Sequence, residues 1–340
     1  MRVDILKLHC PEEDTNIRRC LRIYTILPRF CKEPGVRNAK AKEILEEIQQ
    51  VRDKMKTKYG IKWGYVWMKS IPYKMSYAAI KDWMIGRASI PVVAIESLKK
   101  IGFEKEAGSI LSKAEYFAST THDIVRIPKK LSPDIFYLSG LILGDGCLPD
   151  KKRGKENNLE YGFSIVSGQE EFLNNKIRPI IEENFQTTCG KLRYYNHGGP
   201  TWCLEKRNKA LHRFFTKIMG LPHGKKSEKA HIPNIVKEAN DKEKIAFLCG
   251  LIDSDIGKHS GGMGCTFRSK KIVEDLIEFL RNLGIEARSS GTHYKNNRYE
   301  QNDFRILKSQ VKTLKELLLR NYLPKRKDRI ETINELAGIG

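Results

Sequence analysis

The sequence predicts an α+β protein made of two copies of one mixed unit, preceded by an all-α domain. Two observations predict the duplication: the apolar stretch Leu138–Gly146 returns at Leu248–Ile256, and the strand-like Phe163–Ser167 is matched by Cys265–Ser269. A third observation, the helical periodicity of Lys40–Lys58, predicts the helical domain. The expected boundaries are 1–125 for the helical domain, 131–235 for the first copy and 240–335 for the second.

The helical segment contains a pattern typical of a helix-turn-helix. A short helix over Ser76–Gly86 ends at a glycine, and a turn with a proline leads into a second apolar helix over Val92–Ile101. In a helix-turn-helix, the exposed residues of Ser76–Lys81 would face a major groove, while Ile80 and Trp83 would belong to the core. An ordinary helical hairpin gives the same pattern, so both interpretations stay open.

Each repeated apolar stretch has the composition of the last two turns of a buried helix. Small residues recur four positions apart and share a helix face: Gly140 with Gly144, and Gly250 with Ser254. This spacing lets two helix backbones approach closely. If the copies pack together, Asp145 and Asp255 meet, and a cation such as Mg²⁺ is needed to keep both carboxylates ionised. A core helix that stops at a glycine explains either copy alone, but the duplication argues against that explanation.

The starts of the two helices are also predicted. Ser132 stands before Pro133 and Asp134, which combines a capping hydroxyl, a proline in the first turn and an acid near the positive end of the helix. Asn240 followed by Glu243 predicts a capping box for the second helix.

The two stretches resemble the paired motifs of LAGLIDADG homing endonucleases, in the single-chain form with two repeats. The resemblance covers about residues 131–335 and implies two pseudo-symmetric αββαββα repeats with curved antiparallel sheets. The metal-binding acid of the family falls on Asp145 and Asp255, with a backbone carbonyl such as that of Gly144 or Ser254 beside it. The implied activity is Mg²⁺-dependent, site-specific cleavage of both strands of duplex DNA, of the intron-homing type, and Mn²⁺ is expected to substitute.

A second repeated element implies basic groups near the scissile phosphate. Leu221–Lys225 and Leu323–Lys327 both place a lysine after Leu-Pro, where the family has a basic residue. The expected catalytic lysines are Lys225 and Lys327, followed by Lys226, Lys229 and Lys325. Lysines are also common near helix ends after a proline turn, so a purely structural interpretation stays open.

Two residues depart from the family pattern, and a third offers a compensation. Ile256 stands where the family has a glycine, and Gly168 stands where some relatives carry a lysine. Lys258 matches a lysine of some relatives and is expected to compensate in one half of the site. These departures leave asymmetric or lost cleavage as an alternative.

The strands of such a sheet point alternate side chains to the core and to a groove. Basic and aromatic residues on the groove side would contact phosphates and base edges. The residues assigned to this set are Arg193, Tyr195, Lys206, Arg268, Arg288, Arg298 and Arg305. A solvated basic sheet face remains the alternative for each residue taken singly.

Composition agrees with a nucleic-acid partner. The 340 residues carry 62 Lys and Arg against 41 Asp and Glu, a formal net charge of +21, which favours a polyanion over a membrane. No stretch is long and apolar enough for a membrane span, and none of the eight cysteines forms a C-x-x-C pair. We therefore expect an intracellular, cytoplasmic protein with reduced thiols.

The expected partner is double-stranded DNA with a long recognition site, bound by a monomer, because one chain supplies both acids. Two alternatives come from the binding class: a catalytically weak or inactive LAGLIDADG regulator of transcription, and an intron RNA maturase. The helix-turn-helix pattern supports them, since a regulator requires such a module and a free-standing nuclease does not.

Overall fold

The computed structural model describes residues 1, 3–8, 10, 14, 20–26, 35–118, 123–149, 161–196, 199–259, 261–295 and 299–338. For residues 35–38, 290, 293–295 and 299 it describes the backbone only. Within the described ranges, every helix is too short or too polar to cross a bilayer.

The N-terminal region is mainly helical, as predicted, and in addition carries a small antiparallel sheet. Its α-helices run over Gly35–Tyr59, Trp63–Ser70, Tyr77–Met84, Val92–Ser97 and Glu104–Lys113. Its strands are β1 (Arg22–Ile23), β2 (Ile90–Pro91), β3 (Tyr116–Ala118) and β4 (Ile124–Arg126), in the order β2-β1-β3-β4. Strands of two or three residues are too short to show alternation in a sequence, so the all-α prediction omitted this sheet.

The first repeat has the predicted αββαββα order. Its motif helix, Pro133–Leu143, is followed by β5 (Gly146–Cys147) and β6 (Phe163–Ser167). Its next helix runs from Glu170–Phe172 through a π-helical turn at Leu173–Ile177 to Arg178–Phe185. The remaining elements are β7 (Arg193–Asn196), β8 (Pro200–Lys206), a helix over Lys209–Arg213 with a π-helical turn at Phe214–Ile218, and short helices at Lys226–Lys229 and Asn234–Lys237. The strands form a sheet of order β5-β6-β8-β7.

The second repeat has the same order of elements and an equivalent sheet. Its motif helix is Asp241–Ser254, followed by β9 (Gly257–His259), β10 (Gly262–Phe267) and the helix Lys270–Asn282. The later elements are β11 (Ala287–Lys295), β12 (Tyr299–Leu307) and the helices Lys308–Asn321 and Lys327–Leu336. The strand order, β11-β12-β10-β9, is that of the first sheet, so the chain contains one unit twice.

The two motif helices pack directly on each other along a seam that only glycine permits. A Cβ on Gly140 would lie 2.1 Å from the carbonyl oxygen of Phe247, and one on Gly250 would lie 2.1 Å from that of Tyr137. Backbone therefore touches backbone, as the spacing of small residues predicts. Both helices are almost completely buried, because each lies between its partner and the rest of its own repeat.

The predicted helix starts are found at the expected residues, with one difference. The second motif helix begins with a complete capping box, in which Asn240 and Glu243 each accept a hydrogen bond from the other's backbone N–H. The first begins after Ser132, but the Ser132 hydroxyl donates to Oδ1 of Asn184 at 2.7 Å instead of capping the backbone. A tertiary partner has replaced the local one.

A buried ion cluster joins the N-terminal segment to the first repeat. The Asp14 carboxylate accepts hydrogen bonds from Nζ of Lys209 at 2.6 Å and from Nη2 of Arg213 at 2.9 Å, and all three side chains are at most 2% exposed. Arg213 also donates to the backbone carbonyl of Leu8 at 2.9 Å. Because buried charges are costly unless they are paired, this cluster ties the two parts of the chain together.

Candidate functional site

Asp145 and Asp255 come together where the two motif helices end. Gly144 and Ser254 precede the two acids, and a Cβ on Gly144 would lie 2.0 Å from Oγ of Ser254 and 2.8 Å from Oδ2 of Asp255. The first copy thus places bare backbone directly against the acid of the second. Both aspartates are half-buried, so their carboxyl groups stay open to a ligand.

The environment favours one bound proton on this pair. Burial raises the pKa of Asp145, opposed by the positive charges of Lys226, Arg326 and Arg329. Burial and the charge of Asp145 raise the pKa of Asp255 to about 6. Neither carboxyl group accepts a hydrogen bond or forms an ion pair within the described part of the chain. Two neighbouring carboxylates whose oxygens have no partner among the described residues suit a hard divalent cation. The residues present therefore fit the metal that the family resemblance implies.

Lys226 supplies the positive charge nearest to the first copy. Its ammonium group donates to the carbonyls of Ile142 at 2.8 Å and Leu143 at 2.9 Å, and also to that of Gly144. It therefore satisfies acceptors that a helix C-terminus leaves open. Burial lowers the pKa of Lys226 to about 8, against the attraction of Asp255 and Asp145.

Arginines take the corresponding place in the second copy. Arg326 donates from Nη1 to the carbonyl of Asp253 at 3.0 Å, and Arg329 donates from Nη2 to the carbonyl of Ser254 at 3.2 Å. Asp253 is buried and accepts from the Tyr137 hydroxyl at 2.7 Å and from the backbone N–H of Arg326 at 3.1 Å. The sequence interpretation missed both arginines, although their spacing of three residues within a basic run was a usable signal.

The predicted lysines lie at different distances from this arrangement. Lys225 and Lys327, the first choices, are exposed at the starts of the helices Lys226–Lys229 and Lys327–Leu336. Lys229 is also exposed, and Nζ of Lys325 lies 4.3 Å from the ring centroid of Tyr322. Lys258 forms an ion pair with Glu335 on the surface. Catalytic roles for Lys225, Lys327 and Lys258 stay predictions, whereas Lys226 is the lysine that faces both acids.

The two departures from the family pattern fit the fold without strain. Ile256 is completely buried and its backbone N–H donates to the carbonyl of Leu251 at 2.9 Å, so its side chain is part of the core. A Cβ on Gly168 would meet only the carbonyl oxygen of Pro200, at 3.5 Å, which is ordinary contact. Neither residue obstructs the carboxylate pair.

In the first sheet the register separates the predicted groove residues into two faces. Arg193 is opposite Cys203 and Tyr195 is opposite Thr201, on the same face as Glu205, with which Arg193 forms an ion pair at 3.1 Å. Lys206 is opposite the buried Phe163 and lies on the other face. Its ammonium group contacts Asp123 at 2.7 Å and the carbonyl of Thr188 at 3.1 Å. The assignment of Lys206 to the groove is therefore corrected.

In the second sheet two predicted arginines are directly opposite each other. Arg288 on β11 pairs with Arg305 on β12, on the face opposite to the buried Phe304 and Ile306. Two like charges at adjacent positions repel unless an anion lies between or above them. Arg268 forms an ion pair with Glu228 at 2.9 Å. Arg298 lies outside the described residues.

The architecture is that of a two-motif LAGLIDADG protein. Two motif helices pack through glycines, a carboxylate pair lies at their shared end, and the two sheets have the same strand order. Over 150 residues, 44% of this chain and 70% of the relative, the sequence is 26% identical to the homing endonuclease I-DmoI of Desulfurococcus mucosus. The chain is therefore similar in sequence to a LAGLIDADG homing endonuclease.

Solved structures of the family resemble the chain over somewhat more than half of its length. The crystal structure of I-DmoI in complex with DNA and Mn matches 60% of this chain and 96% of its own, with 21% identity and a TM-score of 0.40. The homing endonuclease I-WcaI bound to its DNA recognition sequence matches 59% of this chain and 87% of its own, with 18% identity and a TM-score of 0.41. No protein-family model matches the chain.

Proposed function

We propose that the protein is a site-specific endonuclease that cuts both strands of duplex DNA and requires a divalent cation. The observation that carries the proposal is the pairing of Asp145 and Asp255 at the end of the motif seam, with raised carboxyl pKa values and no partner in the described ranges. The relative I-DmoI is a homing endonuclease, and its complex contains DNA and Mn.

Mg²⁺ is the proposed cofactor, held by the carboxylates of Asp145 and Asp255. The backbone carbonyls of Gly144 and Ser254 are further candidates, although they already accept hydrogen bonds from Lys226 and Arg329 respectively. When bound, the ion supplies a water of lowered pKa and a positive charge near the leaving oxygen. Because one chain contributes both acids, a monomer suffices to cut both strands.

The protein side chains around the acids have separate tasks in this proposal. Lys226, whose ammonium group faces both carboxylates, stabilises negative charge on the phosphate in the transition state. Arg326 and Arg329 do the same in the second half and fix the end of the second motif helix. Arg193, Tyr195, Arg288 and Arg305, on the outward faces of the two sheets, position the DNA backbone.

A cleavage assay on a plasmid library tests the proposal. Linear product at one sequence is expected with Mg²⁺, and none is expected with EDTA, with Asp145→Asn or with Asp255→Asn. Asp241→Asn is the matched control, because Asp241 is exposed at the opposite end of the same motif helix as Asp255. Tight binding without cleavage in either Mg²⁺ or Mn²⁺ would contradict the proposal.

A DNA-binding regulator without nuclease activity is the second candidate function. It is favoured by the position of Lys226, whose ammonium group already supplies a positive charge beside both acids and binds the Gly144 carbonyl. A regulator would bind duplex DNA equally well with Asp145→Asn and would nick no substrate. A maturase, the third interpretation, would prefer a structured RNA over DNA at matched salt.

A further inference from the structure

The N-terminal domain exposes an apolar and aromatic surface framed by lysines. We call it the tyrosine patch, and its residues are Ile61, Lys62, Tyr65, Lys69, Tyr77 and Lys81. Ile61, in the turn before the helix Trp63–Ser70, is 93% exposed, and Tyr65 of that helix is 53% exposed. In contrast, Trp63 and Trp67 of the helix are buried. Large apolar side chains gathered this far from the core mark a surface that contacts another molecule.

The tyrosine patch has a fixed geometry. The rings of Tyr65 and Tyr77 stack with their centroids 5.0 Å apart and their planes 3° from parallel. A Cβ on Gly64 would lie 2.2 Å from Cε2 of Tyr77, so the glycine is what lets Tyr77 lie across the helix Trp63–Ser70. The opposite side of that helix is anchored by the indole N–H of Trp67, which donates to the carbonyl of Ala94 at 2.9 Å. The two rings are thus held in place before any partner binds.

The charge of the tyrosine patch identifies the chemistry of the partner. Residues 61–81 contain Lys62, Lys69, Lys74 and Lys81 and no aspartate or glutamate. The Lys81 ammonium lies 5.3 Å from the centroid of the Tyr77 ring, within the range of a cation–π interaction. Asp82, the acid that follows directly, is 3.7 Å from a guanidinium nitrogen of Arg87. A rigid apolar centre with a positive border fits a polyanion that also offers flat apolar surfaces.

We propose that the tyrosine patch is a second DNA contact, which binds duplex DNA outside the stretch covered by the two sheets. Lys62, Lys69 and Lys81 contact phosphates, while Ile61 and Tyr65 enter the minor groove between them. Ile61 belongs to the 3₁₀ turn Gly60–Lys62 that joins two helices, so it projects at a corner where a wedge can reach between base pairs. The contact uses neither Asp145 nor Asp255, so it is measured by binding and does not depend on cleavage.

The charge of the contact is tested with the full chain in EDTA and a random-sequence 60-base-pair duplex. Each phosphate contact adds about 0.9 to the slope of log affinity against log salt concentration. Lys62→Gln with Lys69→Gln is therefore expected to lower that slope by about 1.8. Lys42→Gln with Lys105→Gln is the matched control, since both lysines are exposed on other helices of the same domain, and it is expected to leave the slope unchanged.

The apolar centre is tested separately. The double variant Ile61→Ser with Tyr65→Ser is expected to weaken binding about tenfold and to leave the salt slope unchanged. Leu319→Ser is the matched control, because Leu319 is 61% exposed in the second repeat. It is expected to bind DNA as the unchanged protein does. Equal thermal midpoints show that all variants are folded. The proposal would be overturned if both patch variants had the same affinity and the same salt slope as their controls. This outcome does not depend on whether the protein cleaves DNA.

Discussion

The two halves of the carboxylate pair share the close packing of their motif helices and differ in the side chains around them. In the first half one lysine, Lys226, binds three carbonyls at the end of the motif helix. In the second half the guanidinium groups of Arg326 and Arg329 share that task, and Asp253 binds the segment that carries them. The repeat conserves the close helix packing but not the identity of the cations.

This difference has a chemical consequence. A buried lysine whose pKa is lowered to about 8 changes its charge near neutral pH and has a flexible stem. A guanidinium stays charged and is held in a planar fork. We therefore expect the two halves to cut their strands at different rates.

The largest effect is expected from a substitution that disrupts the close packing of the two motif helices, which both halves share. Gly250→Ala places a Cβ 2.1 Å from the carbonyl oxygen of Tyr137 and 2.6 Å from the backbone nitrogen of Leu141, and neither backbone atom can move alone. We expect a loss of about 3 kcal/mol or more in the free energy of unfolding, measured by urea denaturation. Gly108→Ala is the control: nothing lies within 4 Å of its Cβ, and it is expected to stabilise by about 0.5–1 kcal/mol. Equal stabilities of the two variants would show that the seam is not close-packed.

The next largest effect is expected from a substitution that acts more strongly on one half of the site than on the other. Lys226→Met removes the ammonium group beside both acids and is expected to slow cleavage about 10²–10³-fold, with one strand more affected than the other. Accumulation of nicked circles from a supercoiled plasmid measures the asymmetry. Lys225→Met, at the exposed neighbouring lysine, is expected to change the rate by only a few-fold. If Lys225→Met were the more damaging change, the structural assignment of Lys226 would be wrong.

The smallest effect concerns the proton on the pair. The folded pKa of Asp255 is about 6, above its ordinary value of 3.8, so the folded state binds more protons between about pH 4 and 6. The contribution of Asp255 to the free energy of unfolding therefore falls as pH rises through that window. The whole loss has occurred above about pH 6. In EDTA, Asp255→Asn is expected to raise the free energy of unfolding by about 1–3 kcal/mol at pH 7.5 and by almost nothing at pH 4. A gain that did not depend on pH would contradict this account.

Much of the fold was predictable because the duplicated motif constrains it strongly. The four-residue spacing of Gly140 and Gly144, and of Gly250 and Ser254, predicted the seam, and the αββαββα order followed from the family resemblance. The capping box at Asn240 was predicted from local chemistry alone. The tertiary choices were not predictable: Ser132 bonds to Asn184 across 52 positions of chain, and Lys206 turns away from the groove toward Asp123. Such partners are distant in sequence, so no local pattern encodes them.

The site was predictable to the same depth. The two acids follow from the motif, whereas the choice between Lys225 and Lys226 depends on how the segment after Leu221-Pro222 winds into its short helix. A shift of one residue in where this helix begins decides which ammonium group lies near the acids. Helix boundaries inferred from a sequence are uncertain by more than one residue.

The buried cluster of Asp14, Lys209 and Arg213 has a consequence for how this protein can be divided. A chain shortened past Asp14 would lose the buried carboxylate that accepts hydrogen bonds from Lys209 and Arg213 of the first repeat. The N-terminal extension is therefore not an accessory that can be exchanged or removed at will. The extension and the first repeat are expected to unfold together.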